Sequence, residues 1–457
     1  MGYYALMENI QLENQNIFFT GRADKIDKSE LEKYLVQKGS ILVNSINEAT
    51  IIIQGKFTPI YLEETIYELS KKQITIIQIE KLEEEFSSNL DIDSILMAIK
   101  ISKDNDRLLK LLNNNFFSDD IFVKLLKLYD FKGDDIYDSD DNRDVCTKIV
   151  ERFCSLIETN HNIQYAPIGV YYTALETSNP NLLDVIYNMP DYVISAKNAQ
   201  EDQPLSLKEV VALNPNTSKI TQLEILKNSK MNELKFLALN ESINQMIQKK
   251  LFEKNIDEIS LSLIKTNNYD ESFIDDFLNN YTLKKELLKK AILDDKLFYK
   301  FFENIDDVSI IYLSSNDTLN EEMINKLFEK NIDNANINLL KNKNCPKDKI
   351  EEFLKLQDKI YNISIAHNTT LPTQLYLYLF SLDDYDVNLS LAQNTTTPKE
   401  VLKSLAALND KFINETLCAN ISTPINILLQ YQYDGGLKNI ISNNDSFREF
   451  TRKMVGM

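Results

Sequence analysis

In residues 13–87, short runs of apolar residues typical of strands alternate with segments in which apolar residues recur at helical spacing. Short β-branched runs, such as Ile41–Val43 and Thr50–Ile53, fit buried strands of a parallel sheet. Between these runs, apolar residues recur at helical spacing. The first helix is expected to be capped by Ser29 and to end at Gly39. The predicted order is strand, helix, strand, strand, helix, strand, helix, which is a small three-layer α/β unit around a mostly parallel sheet.

The rest of the chain is dominated by an internal repeat. An Asn followed by Pro four positions later recurs every 26 residues, at Asn342, Asn368, Asn394 and Asn420. Backward steps of the same length reach Asn188, Asn214, Asn240 and Thr266, and 50 residues separate Thr266 from Asn316. Self-similarity at this period predicts a solenoid, in which each repeat buries its apolar face against its neighbours.

Each repeat is predicted to contain two short helices joined by a polar turn. In the copy that precedes the best-preserved one, Thr397 is placed to cap the first helix, Pro398 suits its first turn and Glu400 completes a capping box. Asn409 is expected to close that helix. We expect Asn420 to end the second helix in the left-handed conformation, which Asn tolerates better than other residues except Gly.

Three regions follow from these patterns. Residues 1–90 are predicted to form the α/β domain, and residues 91–205 an irregular helical segment with degenerate repeats. Residues 206–457 are predicted to form an α-solenoid of about 26-residue repeats with a C-terminal cap. The expected fold class is therefore mainly α, with a small N-terminal three-layer α/β domain and a long helical repeat solenoid.

The N-terminal region also carries a family pattern. Phe18–Gly21 ends the first strand, Lys38–Ser40 follows the first helix, and Thr50–Ile53 and Ile74–Ile77 are later strands. This pattern resembles a BRCT domain, in particular the type at the end of bacterial NAD-dependent DNA ligases. The sequence departs from that family in two places. The family's Gly-Gly pair is Gly-Ser here, and the Trp usual in the last helix is absent, with Phe86 its expected substitute.

The BRCT resemblance implies a candidate binding site. Domains of that family bind proteins or DNA ends, and some hold a phosphopeptide through a hydroxyl and a Gly amide after the first strand, plus a Lys that opens the second helix. Thr20 and Gly21 match the first two groups. The Lys position falls near Glu63–Thr65, which leaves Lys56 in the preceding loop as the candidate cation. The simpler interpretation is that Thr20 and Gly21 only form a turn.

The repeats resemble the leucine-rich-repeat variant family of bacterial α-solenoids and, more loosely, HEAT repeats. The clearest matches are Leu391–Pro398 and Ile365–Pro372, although repeats in that family are slightly shorter. Both resemblances imply an extended surface that binds a protein partner.

The charge balance changes which partners are expected. With 69 acidic and 50 basic residues, the formal net charge is −19, which disfavours non-specific binding to nucleic acid or an anionic membrane. A groove that follows DNA would need a cation at one repeat position. Lys250 and Lys326 lie ten residues after their repeat's Asn, but Glu224, Glu352 and Ser404 hold the same position in other copies.

Candidate catalytic and metal-binding residues are few. His161 and His367 lack partners at metal-ligand spacing, and His367 is expected to be an exposed turn residue. The acidic run 134–144 is similar to half of a calcium loop, but Arg143 and Ile149 stand where a Gly and a bidentate Glu are needed. A solvated insertion is the simpler interpretation of that run. No glycine-rich phosphate loop or nucleophile elbow is present. We expect no catalytic residues, no cofactor and no metal.

The functional hypothesis follows from these expectations. The four Cys lack metal-knuckle spacing, the N-terminus shows no secretion signal, and no apolar run approaches the ~20 residues of a membrane span. We therefore expect a cytoplasmic, non-enzymatic scaffold that binds a protein partner, phosphorylated if the head recognises phosphate, with a link to DNA maintenance and no membrane partner. The alternative is a direct DNA-binding or DNA-repair protein, because glycosylases built from helical repeats exist.

Overall fold

The computed structural model describes residues 11–72, 74–154, 166–199, 203–228, 230–303 and 305–455. The chain divides into two compact units, Met1–Ile243 and Asn244–Met457. The fold class matches the sequence-based expectation, since a small N-terminal parallel sheet precedes a long helical array.

The first unit begins with an α/β head (residues 11–88). Its four strands form one sheet in the order β2-β1-β3-β4, and every neighbouring pair is parallel. The predicted order of strands and helices is confirmed. The elements are β1 Asn16–Thr20, α1 Lys28–Gln37, β2 Ile41–Leu42, β3 Ile51–Gln54, α2 Ile60–Ser70, β4 Thr75–Gln78 and α3 Ile79–Ser88.

The head is a three-layer arrangement because each face of the sheet is covered by helices. Leu31 of α1 and Leu82 of α3 pack with Ile77 on one face. On the other face, Ile66 of α2 packs with Ile52. These apolar side chains leave water, and each fully buried one stabilises the fold by about 1.5–3 kcal/mol.

Two local predictions for the head were wrong. Ile41 and Leu42 form an exposed edge strand instead of a buried one, because β2 pairs only with β1. Helix α1 begins at Lys28, one residue before Ser29, so Ser29 lies inside the helix and is not its cap.

The described residues of the first unit that follow the head are mainly helical. The helices are α4 Ile92–Ser102, α5 Asn105–Leu112, α6 Asp119–Leu126, α7 Asp140–Phe153, α8 Ala166–Glu176, α9 Pro180–Tyr187, α10 Ala196–Ala199, α11 Leu207–Leu213, α12 Lys219–Asn228 and α13 Met231–Leu239. Asn188 follows α9, and its side-chain amide donates to the Asp184 carbonyl oxygen of its own helix. The repeat spacing predicted from the sequence therefore reaches a residue that is bonded differently from Asn214 and Asn240.

The second unit consists of paired short helices. They are α14 Gln245–Phe252, α15 Asp257–Lys265, α16 Ile274–Asn279, α17 Tyr281–Lys290, α18 Asp295–Phe302, α19 Asp307–Leu313, α20 Glu321–Phe328, α21 Asp333–Lys341, α22 Lys347–Lys355, α23 Lys359–Ala366, α24 Thr373–Ser381, α25 Tyr385–Gln393, α26 Lys399–Ala407, α27 Lys411–Ala419, α28 Ile425–Tyr431, α29 Lys438–Ser442 and α30 Asp445–Val455.

Successive repeats of the second unit share one hydrophobic core. The second helices α21, α23, α25 and α27 pack side by side, and each also packs against the first helix of its own repeat. Buried apolar side chains form one cluster that extends from Ile264 to Leu417. Each helix is too short to be stable alone in water, so its stability comes from its neighbours.

In four successive repeats, a left-handed residue joins the first helix to the second. Asn331, Gln357, Asp383 and Asn409 lie 26 residues apart and have φ values of 51° to 54°. Asn409 therefore closes its helix as predicted. The next residue in three of these turns is an Asp that caps the second helix; Asp410, for example, accepts hydrogen bonds from the N–H groups of Phe412 and Ile413.

Candidate functional site

The head brings Thr20, Gly21 and Lys56 together where β1 and β3 end. Thr20 is buried at the end of β1, and Gly21 follows it at φ 74°. The Arg22 N–H donates to the Lys56 carbonyl oxygen at 2.7 Å, and the Lys56 N–H donates to the Arg22 carbonyl oxygen at 2.8 Å. A Cβ atom at position 21 would lie 2.7 Å from the Lys56 carbonyl oxygen, so this close approach requires Gly.

The Lys56 ammonium group already has an anionic partner. Its Nζ lies 2.8 Å from Oδ2 of Asp24. This hydrogen bond is the main reason that the pKa of Lys56 is raised. Any external anion at this loop would compete with Asp24 for the ammonium group.

Glu83 is a buried acidic residue behind the same loop. Its Oε1 accepts hydrogen bonds from the N–H groups of Asp24, Lys25 and Ile26 at 2.9, 2.8 and 3.1 Å. Its Oε2 has no hydrogen-bond partner among the described residues. The amides that follow Gly21 therefore bind an anion supplied by the protein itself.

Sequence reasoning missed Glu83, although a signal was present. Ile79, Leu82 and Phe86 lie at helical spacing, and position 83 falls on the same face of α3. The three consecutive Glu residues 83–85 suggest a solvated helix face. The helical period, applied to each of them separately, predicts that the first one points inward.

The anchor Asn side chains of the second unit connect neighbouring repeats. Nδ2 of Asn394 donates to the carbonyl oxygens of Ala366 and Asn368, both at 2.8 Å. Asn368 donates in the same way to Leu340 and Asn342, at 2.9 and 2.8 Å. We call the residues that bridge repeats in this way the asparagine ladder. Its members are Asn316, Asn342, Asn368, Asn394, Asn420 and Asn444 in the second unit and Asn214 and Asn240 in the first.

The side-chain oxygen of each ladder residue organises the turn that follows it. Oδ1 of Asn394 accepts a hydrogen bond from the Thr396 N–H at 2.9 Å, which closes an Asx-turn. The ladder side chains are buried, so an unsatisfied amide here would be costly. In this way one side chain both shapes its own turn and bonds the preceding repeat.

Two local predictions for the repeat turns were wrong. Asn420 is extended, with φ −72° and ψ 119°, so the prediction of a left-handed helix end was wrong. The predicted capping box was also wrong, because the Thr397 hydroxyl donates to the Leu391 carbonyl oxygen at 2.7 Å and α26 begins after Pro398 without a side-chain cap. Ala291 occupies the position of a ladder residue one repeat before Asn316. It has no side-chain amide, but its backbone carbonyl oxygen accepts a hydrogen bond from Nδ2 of Asn316.

A second column of Asn residues lies inside the second helices. Asn336, Asn362, Asn388 and Asn414 are buried and 26 residues apart. Oδ1 of the first three has no hydrogen-bond partner among the described residues. Oδ1 of Asn414 accepts a hydrogen bond from the Tyr431 hydroxyl at 2.9 Å.

A row of exposed apolar side chains follows the turns between the first and second helices. Leu356 and Ile360 are 61% and 57% exposed, and Phe412 is 59% exposed. We call the whole set the turn stripe. It consists of Leu356, Ile360, Leu382, Tyr385, Leu408 and Phe412, of which Leu382 is half-buried.

Contacts between neighbouring turns show that the members of the turn stripe lie side by side. Nζ of Lys359 lies 3.1 Å from Oδ2 of Asp384 and 2.6 Å from Oδ2 of Asp386 in the next turn. Hydrogen bonds to these two carboxylates raise the pKa of Lys359. Loss of solvent contact, followed by the Asp410 carboxylate one turn further on, raises the pKa of Tyr385. The three turns therefore form one continuous edge of the array.

The residues weighed for other chemistry lie apart from one another. His367 is half-buried at the end of α23, not exposed as expected, and burial, with Lys341 nearby, lowers its pKa. His161 lies outside the described residues. The acidic run that was expected to be a solvated insertion enters helix α7 at Asp140. Among the residues that the structure describes, no three His, Cys, Asp or Glu side chains are grouped to hold a metal ion.

The four cysteines are unpaired thiols in the structure. Cys146, Cys345 and Cys418 are free and buried, and Cys154 is free and half-buried. Burial raises the pKa of Cys345 to about 12 and that of Cys418 to about 11.

Comparisons of the chain with known protein families, proteins and structures identify no related protein. No protein-family model, curated protein or solved structure matches the chain. Within the described ranges, no helix combines the length and apolar character needed to cross a bilayer.

Proposed function

We propose that the protein is a non-enzymatic interaction scaffold whose helical repeats dock a protein partner along the turn stripe. The observation that carries this proposal is the row of exposed large apolar side chains on three consecutive turns. Contiguous exposed apolar surface of this kind marks interaction sites on soluble proteins. Evenly spaced turns whose Asp residues are hydrogen-bonded to the backbone also suit a binding surface, because an ordered surface loses little conformational entropy when a partner docks.

The head supports the proposal through its resemblance to a BRCT domain, a family that binds proteins or DNA ends. Its order of strands and helices is compatible with that family, and this resemblance connects the scaffold to DNA maintenance. A phosphate site at Thr20, Gly21 and Lys56 receives less support. Lys56 is paired with Asp24, and the amides behind Gly21 are bound by Glu83. The array is therefore the better candidate for the main docking surface.

Comparative capture from a cell lysate tests the proposal. The full-length protein is compared with a stripe variant, Ile360→Ser with Phe412→Ser, and with a matched control, Leu377→Ser with Ile421→Ser. All four residues are exposed; Leu377 lies within a first helix, and Ile421 follows a ladder residue, so both lie outside the turn stripe. The proposal predicts proteins that bind the wild type and the control but not the stripe variant. Identical binding profiles for all three proteins would contradict it.

Titration with duplex DNA tests the alternative of a direct DNA-binding protein. The net charge of −19 predicts weak binding at moderate salt. Tight binding with a steep salt dependence, unaffected by the stripe substitutions, would favour the DNA-binding alternative.

A further inference from the structure

The turn stripe has defined limits along the array. One repeat earlier, the positions of Leu356 and Ile360 are taken by Lys330 and Asn334. One repeat after Leu408 and Phe412, the same positions are taken by Asp434 and Lys438. The positions equivalent to the stripe residues are therefore polar or charged on both sides, although Tyr433 beside Asp434 is also exposed. Exposed apolar side chains at these positions are confined to three turns and are not a general property of the repeat.

The length of the patch limits the kind of partner that it fits. Packed helices lie 8–10 Å apart, so the first and third turns are roughly 20 Å apart. An α-helix rises 1.5 Å per residue, so a helix of about 13 residues covers this distance. Apolar side chains at every third or fourth position would give such a helix one continuous face toward the stripe.

The charges around the patch indicate which net charge a partner needs. The three turns, residues 356–360, 382–386 and 408–412, contain five Asp and two Lys. One of the two cations, Lys359, is held by Asp384 and Asp386. Asp383 is exposed and has no salt bridge among the described residues. The surface beside the apolar row is therefore acidic.

We propose that the turn stripe binds a basic amphipathic α-helix of a partner protein. This inference rests on the proposed function and specifies its partner. The apolar face of the helix contacts Leu356, Ile360, Tyr385, Leu408 and Phe412, and Lys or Arg residues beside that face contact the Asp carboxylates. Complementary charge increases the association rate and disfavours acidic competitors.

The first test is binding of a fluorescently labelled helical peptide made only of Leu and Lys, with Leu at every third or fourth position. Fluorescence anisotropy measures its affinity for the full-length protein. Truncating two central apolar contacts is expected to weaken binding at least about tenfold in the Ile360→Ser, Phe412→Ser variant. The Leu377→Ser, Ile421→Ser control should bind like the wild type. Equal affinity for the wild type and the stripe variant would overturn the proposal.

A second arm tests the charge of the partner. Asp383→Asn with Asp386→Asn should weaken binding of the Leu–Lys peptide and reduce its salt dependence. A matched Leu–Glu peptide should bind poorly to every protein. If the Leu–Glu peptide binds tightly and loses affinity in the stripe variant while the Leu–Lys peptide does not, the basic partner is wrong but the docking surface stands. If the stripe substitutions affect neither peptide and no lysate protein, both proposals fail.

Discussion

Asn394 donates a hydrogen bond from its side-chain amide to the backbone carbonyl oxygen of Asn368, 26 residues earlier, at 2.8 Å. The donor and the acceptor are the same position in consecutive repeats. The bond therefore fixes the position of one repeat relative to the next. Apolar packing alone defines this position less precisely, because hydrophobic contacts are not directional and hydrogen bonds are. The turn stripe depends on this relative position, since it is built from residues on three repeats.

The two columns of Asn residues predict opposite effects of the same substitution. Replacing Asn388 with Leu removes a buried side-chain oxygen that has no partner, so the free energy of unfolding should rise by about 1 kcal/mol. Replacing Asn414 with Leu removes the nearer acceptor of the Tyr431 hydroxyl and leaves only the Ala406 carbonyl oxygen at 3.5 Å, so the free energy of unfolding should fall by about 1 kcal/mol. Guanidinium unfolding of the full-length variants measures both.

The pair also controls for helix propensity, because both substitutions place Leu for Asn inside a second helix. Changes of the same sign and size at the two positions would show that propensity, not hydrogen bonding, determines the effect.

The buried carboxylate of Glu83 should be important for the stability of the head. Glu83→Ala leaves the N–H groups of Asp24, Lys25 and Ile26 without their acceptor, which should cost about 3 kcal/mol. Glu84→Ala is the matched control, because Glu84 is exposed on the same helix. Amide hydrogen exchange of residues 24–26 should become faster only in the Glu83 variant. Unchanged exchange there would contradict the role assigned to Glu83.

Thiol burial predicts a loss of stability at alkaline pH. Burial raises the pKa of Cys418 to about 11, whereas an unfolded thiol has a pKa of about 8.5. The folded state therefore holds its proton where the unfolded state releases it. The stability that protonated, buried Cys418 contributes to the folded state is fully present below about pH 8.5 and is lost as the pH rises toward 11.

The measurement is the free energy of unfolding of the wild type and of Cys418→Ala at pH 7.5 and at pH 10. The wild type should lose about 2 kcal/mol more than the variant between the two pH values. Other groups titrate equally in both proteins, so the difference reports Cys418. An equal loss in both proteins would show that burial of this thiol does not couple its ionisation to unfolding.

The sequence predicts the fold well where one period dominates. The strand at Ile51–Gln54 and the helix pairs around Asn394 follow from β-branched runs and from fixed-period repetition. The edge position of Ile41 could not be predicted, because strand order is a tertiary property and the run itself is as apolar as a central strand.

The role of the ladder could not be read from local propensity. Asn is suited both to the left-handed conformation and to side-chain hydrogen bonds, and only the packed neighbour decides between them. The left-handed position is instead filled by Asn331, Gln357, Asp383 and Asn409, whose varied identities conceal its period. Asn444 joins the ladder 24 residues after Asn420, and this shorter interval hid it from a search at a period of 26.

The turn stripe was also missed, for a different reason. Leu408 and Phe412 look like core residues of their helices when only spacing is considered. They are exposed at the ends of their helices, since Leu408 directly follows α26 and Phe412 is the second residue of α27, and hydrophobic periodicity does not show where a helix ends.

The most direct test of the account is the stability of Asn394→Asp compared with Gln393→Glu in the full-length protein. Both substitutions exchange a side-chain amide for a carboxylate of nearly the same shape, one in the ladder and one at an exposed neighbouring position. In the ladder, the carboxylate loses two donated hydrogen bonds and faces the carbonyl oxygens of Ala366 and Asn368. We predict that Asn394→Asp lowers the free energy of unfolding by about 3 kcal/mol or more and that Gln393→Glu changes it by less than about 0.5 kcal/mol. Equal stability of the two variants would contradict the claim that these asparagines hold the repeats together.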